Sequence, residues 1–203
     1  MKIICIGRNY VEHAAELNNE VPDEPVFFMK PDTALLPKGK DFYLPDFSDD
    51  IHHEVELVIR ICKEGKHIDE AFASKYYDHI TVGLDFTARD IQQRQKEKGL
   101  PWEPAKAFDG SAPVGDWVPL EEIKDRKNIL FELKKNGIPV QSGQSALMIF
   151  PFEKIIAFVS RYVTLRKGDC IFSGTPKGVG RIKAGDLLEA SLEGKSLLQV
   201  KVK

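Results

Sequence analysis

Three carboxylates are spaced so that they could hold a metal ion. The segment Ile51-His-His-Glu-Val-Glu-Leu-Val-Ile-Arg-Ile-Cys62 reads as a strand, with Val55, Leu57, Ile59 and Ile61 on one face. Side chains alternate along a strand, so Glu54 and Glu56 share the opposite face, about 6.6 Å apart along the chain. A second strand-like run, His79-Ile-Thr-Val-Gly-Leu-Asp85, ends in Asp85. Three acidic groups on rigid elements suit a hard divalent cation such as Mg²⁺ or Mn²⁺ and leave coordination positions open for a ligand. Taken alone, Glu54 and Glu56 read more simply as the wet face of a half-buried strand.

Other groups suggest proton transfer and anion binding. His13 and Glu16 stand three apart on a helical segment and so share a face. A carboxylate orients an imidazole as a general base requires, although a surface His–Glu pair has the same spacing. Arg89 and Gln92 have that spacing one turn after Asp85. They can reach a ligand bound near Asp85, or they belong to the polar face of a soluble helix. Lys106 follows several Gly and Pro positions and precedes Gly110, which places it on a shaped loop or short strand. It can stabilise an oxyanion there, or be one more solvated charge. Ser173-Gly-Thr-Pro-Lys-Gly-Val-Gly180 lacks the Gly-Lys-Ser/Thr ending of a phosphate loop. Its backbone N–H groups, with the Thr175 hydroxyl, can form an anion nest; a tight turn at a sheet edge is the simpler reading.

The elements that must position these residues are mostly short strands. Residues 1–6, Val26-Phe-Phe-Met-Lys30, Asn128–Lys134, Asp169–Ser173, Leu187–Leu192 and Ser196–Val202 carry strand patterns. Asn136-Gly137 marks a two-residue hairpin. Asn9 is placed to cap a helix from about Tyr10 to Leu17, with Glu12 in the capping-box position, and residues 18–25 read as loop. Thr87 starts a second helix that ends before Gly99, and Pro151 to Val163 is a third, with Ile155, Phe158, Val159 and Tyr162 on its apolar stripe. The pattern predicts a β-rich α+β fold with about three helices, without regular strand–helix alternation.

The 203 residues fit a single catalytic domain over 1–203. The formal net charge of −2 comes from mixed signs, with no basic stripe for nucleic acid or for an acidic membrane surface. No apolar run approaches the roughly 20 residues of a membrane span. The opening Met-Lys-Ile-Ile-Cys-Ile is too short for a signal peptide. Three widely spaced cysteines, Cys5, Cys62 and Cys170, show no zinc spacing and suit a reducing compartment. The expectation is a cytoplasmic protein.

Together these segments resemble the fumarylacetoacetate hydrolase family, in its short, single-domain branch. The likeness runs in order through Gly7-Arg-Asn-Tyr10, Phe28-Met-Lys-Pro31, His52-His-Glu-Val-Glu-Leu57, Leu84-Asp-Phe-Thr-Ala-Arg-Asp90, Lys98-Gly-Leu-Pro-Trp102, Lys106-Ala-Phe-Asp109, Met148-Ile-Phe150 and Ser173–Gly180. The resemblance implies a mixed β-roll and sandwich of the family's C-terminal-domain type, a homodimer, and one Mg²⁺ or Mn²⁺ per subunit. It implies Glu54, Glu56 and Asp85 as metal ligands, and His13 and Glu16 as a dyad on a mobile lid helix. Lys106 matches the active-site lysine; Arg89, Gln92 and Thr175 match positions lining the substrate site. Ala107 stands where Ser is common, and Ser173 replaces the usual Thr before Gly-Thr-Pro.

The implied activity is C–C bond hydrolysis of acylpyruvates, with decarboxylation of oxaloacetate at the same site. In both, the electron pair of the broken bond passes to the keto oxygen as an enolate, whose charge a divalent cation offsets. Two alternatives stay open: isomerisation or decarboxylation of hydroxylated diene dicarboxylates such as 2-hydroxyhepta-2,4-diene-1,7-dioate, and non-catalytic binding of a small acid.

Overall fold

The computed structural model describes residues 1–17 and 20–203. Its longer strands, in chain order, are β1 (Ile3–Gly7), β2 (Val26–Lys30), β3 (Val55–Ile61), β4 (Tyr77–Leu84), β5 (Leu130–Lys135), β6 (Ile138–Gln144), β7 (Cys170–Phe172), β8 (Leu187–Leu192) and β9 (Lys195–Lys201). The helices are α1 (Val11–Glu16), α2 (Arg89–Lys98), α3 (Glu103–Lys106) and α4 (Phe152–Tyr162). The β-rich α+β expectation holds; among the described residues the unexpected helical pieces include the 3-10 segment Glu70–Tyr76 and the single turn of α3, which Lys106 closes instead of standing on a loop or strand.

One sheet has the order β2-β1-β7-β3-β4, with Val118–Pro119 at its edge. Only β1 and β7 run parallel in it, pairing Ile3 with Cys170 and Cys5 with Phe172. The second sheet, β6-β5-β8-β9, is antiparallel throughout. Its β5–β6 hairpin turns at Asn136 and Gly137, both in the left-handed region (φ 54° and 79°), as a primed two-residue turn demands. Three short pieces, Gly180–Arg181, Ile51–His53 and Thr87–Ala88, pair between the sheets and lead into the site.

Strand β3 is covered on both faces. Leu57, Ile59 and Ile61 enter the main apolar core, while Val58 packs with Ile3, Cys5, Cys170 and Phe172. The wet-face reading of Glu54 and Glu56 therefore fails: both are buried, and Asp85 with them. Cys5 and Cys170 are buried in the core, and Cys62 is half-buried.

Asn9 does not cap α1. The residue at that end is Tyr10, without a side-chain cap bond. Asn9 is fully buried and works over longer range: its Nδ2 donates to the carbonyls of Phe150 (3.0 Å) and Ser173 (2.7 Å), and its Oδ1 accepts from Phe150 N (2.7 Å). Buried amides gain more by satisfying orphan backbone groups than by capping a two-turn helix. Asn9→Ala leaves those groups unpaired and is expected to destabilise the fold by about 2–4 kcal/mol, read as a lower denaturant midpoint with unchanged slope.

Thr87 likewise lies in a short strand rather than opening α2, which starts at Arg89 and ends at Gly99 in the left-handed conformation. In α4 the buried stripe is Phe152, Ile155, Ile156 and Val159. Phe158 and Tyr162 instead form an aromatic cluster with Phe27, and Tyr162 is exposed. Residues 20–25 are irregular, as expected; the rest of that expected loop, residues 18 and 19, lies outside the described residues. No described helix is long and apolar enough to cross a membrane.

Candidate active site

One narrow cleft collects all but one of the predicted residues: His13, Glu54, Glu56, Asp85, Arg89, Gln92, Lys106 and Thr175 line it, and Glu16 stands behind His13. Glu54 ends the bend between Ile51–His53 and β3, and Glu56 is the second residue of β3. Asp85 follows β4, and its N–H donates to the Glu54 carbonyl (2.8 Å), which locks the two acidic segments together. One oxygen from each of Glu54, Glu56 and Asp85 lies within 4.8 Å of the other two.

Cations surround this triad. The Lys106 ammonium donates to Glu54 Oε2 (2.8 Å), Asp85 Oδ2 (2.8 Å) and Thr87 Oγ1 (2.6 Å), and sits over the Phe28 ring. Arg89 Nη2 bonds Glu54 Oε1 (2.5 Å) while its Nη1 bonds Gln92 Oε1 (2.6 Å), so the expected Arg–Gln helix face forms and turns inward. Lys30, to which the sequence reading assigned no role, is fully buried. Its ammonium donates to the Ser111 carbonyl and hydroxyl and lies 2.7 Å from Asp85 Oδ1. A lysine closing an otherwise apolar strand was the available signal.

The protonation states follow from burial and neighbours. Burial alone would neutralise Lys106, but Asp85 and Glu54 outweigh it and hold its ammonium above the usual lysine range. Burial also opposes the Glu54 charge, yet Lys106 and Arg89 pull this carboxyl well below the usual carboxylate range. Glu56 goes the other way: burial, then the charges of Asp85 and Glu54, push it well above that range. Three carboxylates crowded in a dry pocket repel one another, and a divalent cation between them relieves that repulsion. Asp85 Oδ1 is buried and, despite Lys30 nearby, accepts no hydrogen bond of good geometry. Donor chemistry, spacing and this oxygen all fit a hard divalent cation between Glu54, Glu56 and Asp85.

The Gly-rich turn is a nest, but for a protein carboxylate. Gly174 N donates to Glu56 Oε2 (2.7 Å). Gly174 has φ +97°, and a Cβ there would come 2.7 Å from the Asn9 Cβ, so only glycine brings this N–H so close. The Thr175 hydroxyl is also committed internally, donating to the Val55 carbonyl (2.8 Å) and accepting from Gln141 Nε2 (2.9 Å). Gln141, a second residue the sequence reading missed, reaches from β6 and also accepts from Val55 N and pairs with His53 Nδ1. Across the cleft, His13 Nδ1 lies 3.0 Å from Glu16 Oε2, and Glu16 Oε1 accepts from Gly178 N (3.0 Å). Glu12 pairs with Lys177 (3.1 Å), a second tie between α1 and the same turn.

This β-rich fold with an acid-lined cleft is the family's: the chain belongs to the fumarylacetoacetate hydrolase family, whose profile, "Fumarylacetoacetate (FAA) hydrolase C-terminal", matches residues 2–203. Among its relatives, the mitochondrial oxaloacetate tautomerase FAHD1 of Mus musculus is 45% identical over 99% of this chain and 91% of its own length. The mitochondrial oxaloacetate decarboxylase of Dictyostelium discoideum is 42% identical over 95% of this chain and 89% of its own. Among solved structures, a fumarylpyruvate hydrolase from Pseudomonas aeruginosa, in complex with Mn²⁺ and pyruvate, superposes with a TM-score of 0.93 and 34% identity, covering 100% of this chain and 89% of that one.

Proposed function

We propose that this chain is a divalent-cation-dependent enzyme of small 2-oxo acids, interconverting enol and keto oxaloacetate and cleaving the C–C bond of acylpyruvates or decarboxylating oxaloacetate. One observation supports this reading: a single cleft gathers the carboxylate triad, the Lys106 ammonium and His13, whose Nδ1 meets Glu16 behind it. The relatives named above are called an oxaloacetate tautomerase, an oxaloacetate decarboxylase and a fumarylpyruvate hydrolase, and each name implies a 2-oxo acid passing through an enol.

Bound at Glu54, Glu56 and Asp85, Mg²⁺ or Mn²⁺ supplies Lewis-acid polarisation of the substrate's keto oxygen. Glu16 accepts hydrogen bonds only, so His13 carries its proton on Nδ1 and keeps the Nε2 lone pair as the base. For tautomerisation, Nε2 takes a proton from one end of the enol–keto unit and returns it to the other. For an acylpyruvate, Nε2 takes a proton from water, whose oxygen attacks the distal carbonyl. The C3–C4 bond then breaks, the acyl part leaves as a carboxylic acid, the electron pair stays with the pyruvoyl part as an enolate, and Nε2 returns its proton to give the enol of pyruvate. Lys106, held as an ammonium, stabilises the developing oxyanion through its charge and cannot serve as the base.

The test follows the loss of ultraviolet enol absorbance of oxaloacetate, and pyruvate release from acetylpyruvate, with Mg²⁺ present. Acceleration of the first, with measurable turnover in the second, is expected. If neither rises above the buffer rate, the reading is wrong.

A further inference from the structure

Arg8 has no part in the chemistry above, yet it lines the same cleft. Its backbone is in the left-handed region at φ 59°, sparsely populated by residues with side chains and often found where function fixes the chain. The conformation is held from both sides. Residues Ile3–Gly7 are pinned in β1 between β2 and β7, and the next residue, Asn9, is clamped to Phe150 and Ser173. Arg89 spends its guanidinium on Glu54 and Gln92, whereas Arg8 has no ion-pair partner among the described residues, and its Nε is buried without a hydrogen bond. A half-buried guanidinium on a fixed backbone, lining the cleft with no ion-pair partner among the described residues, is arranged for an anion brought by the ligand.

The charge balance of the cleft points the same way. Glu54, Glu56 and Asp85 face Lys30, Arg89 and Lys106, so this inner cluster is formally neutral. A divalent cation makes it positive. Arg8 adds to that charge from the cleft wall. A monoanionic 2-oxo acid leaves this excess uncompensated; a dianion removes more of it.

We propose that Arg8 binds a second, distal carboxylate of the substrate, and that this enzyme thereby selects dianionic 2-oxo acids over monoanionic ones. The proposal rests on the 2-oxo acid reading and adds the substrate's charge class and the residue that reads it. Arg8 is a specificity residue and takes no proton.

The experiment compares kcat/KM for oxaloacetate, a dianion, with that for acetylpyruvate, a monoanion, in wild type, R8Q and R8K, with Mg²⁺ present. R8Q is expected to lower the dianion-to-monoanion preference by roughly 10- to 100-fold, chiefly through KM for the dianion, the usual loss when a charged hydrogen bond to a carboxylate is removed. R8K, which keeps a cation on the same backbone, recovers part of the preference. An R8Q preference equal to wild type overturns the proposal, as does an equal loss for both substrates with R8K no better. Calorimetric binding of malate and lactate, stable 2-hydroxy acids that differ by the distal carboxylate, separates this from the function itself. If wild type turns over neither 2-oxo acid, the catalytic reading falls. The Arg8 proposal then stands or falls on whether malate binds more tightly than lactate and whether R8K retains a difference that R8Q loses. Melting curves identify a variant that fails to fold, in which case R8K and wild type supply the comparison.

Discussion

Stripping divalent cations from the protein is expected to abolish turnover of oxaloacetate and acylpyruvates, and added Mg²⁺ or Mn²⁺ is expected to restore it. The expectation comes from the arrangement of charge. Glu54, Glu56 and Asp85 offer oxygens within 4.8 Å of one another, all three are buried, and Glu56 is pushed up by its acidic neighbours. Lys106 and Lys30 offset part of this charge but leave Asp85 Oδ1 without a well-aligned donor. A Lewis acid at the keto oxygen contributes several kcal/mol to such reactions, so its removal costs on the order of 10³-fold or more in rate. Titration calorimetry on chelated protein should give one site per chain, lost in Glu56→Gln and Asp85→Asn. Bound cation should also raise the melting temperature, because it binds only the folded triad. Undiminished turnover in metal-free protein would remove the cation from the mechanism.

His13→Ala is expected to lower acylpyruvate cleavage by roughly 10²–10⁴-fold, the usual worth of a positioned general base. Enol–keto interconversion should fall with it, since both reactions move a proton through Nε2. Loss of CO₂ from oxaloacetate needs no attacking water, so decarboxylation should be spared or should rise as the competing path slows. The three assays distinguish a base from a structural histidine. His13 is buried beneath its own helix, and a merely structural role predicts equal losses in all three reactions, with a lower melting temperature.

What was legible in the sequence was short-range. Glu54 and Glu56 are two apart on a strand, His13 and Glu16 three apart on a helix, and Asn136-Gly137 states its own turn. Local geometry fixes such relations before tertiary structure intervenes. Asn9, Lys30 and Gln141 were illegible for the opposite reason. Asn9 finds Phe150 across 141 positions, Lys30 finds Ser111 across 81, and Gln141 finds Val55 across 86. No spacing rule spans such gaps. The capping signal at Asn9 misled because the pattern Asn-x-x-Glu records only what a side chain can reach locally, whereas Asn9 lies in the core with distant carbonyls to satisfy. The placement of Glu54 and Glu56 was likewise underdetermined. Alternation shows that they share a face but not whether that face is wet.

The turn from Gly174 to Gly178 touches both halves of the cleft. Its first N–H holds Glu56, and its last holds the carboxylate of the His13 dyad. A cation held by Glu56 would therefore be linked thermodynamically to the docking of α1 through five residues of backbone. Ordering the turn from one end lowers the entropy that the other end must surrender. Linkage is reciprocal: the factor by which a seated helix tightens the ion is the factor by which the ion seats the helix. An enzyme wired in this way is at its most loosely assembled when the cleft is empty. The base then reaches its working position together with the charge that makes it useful.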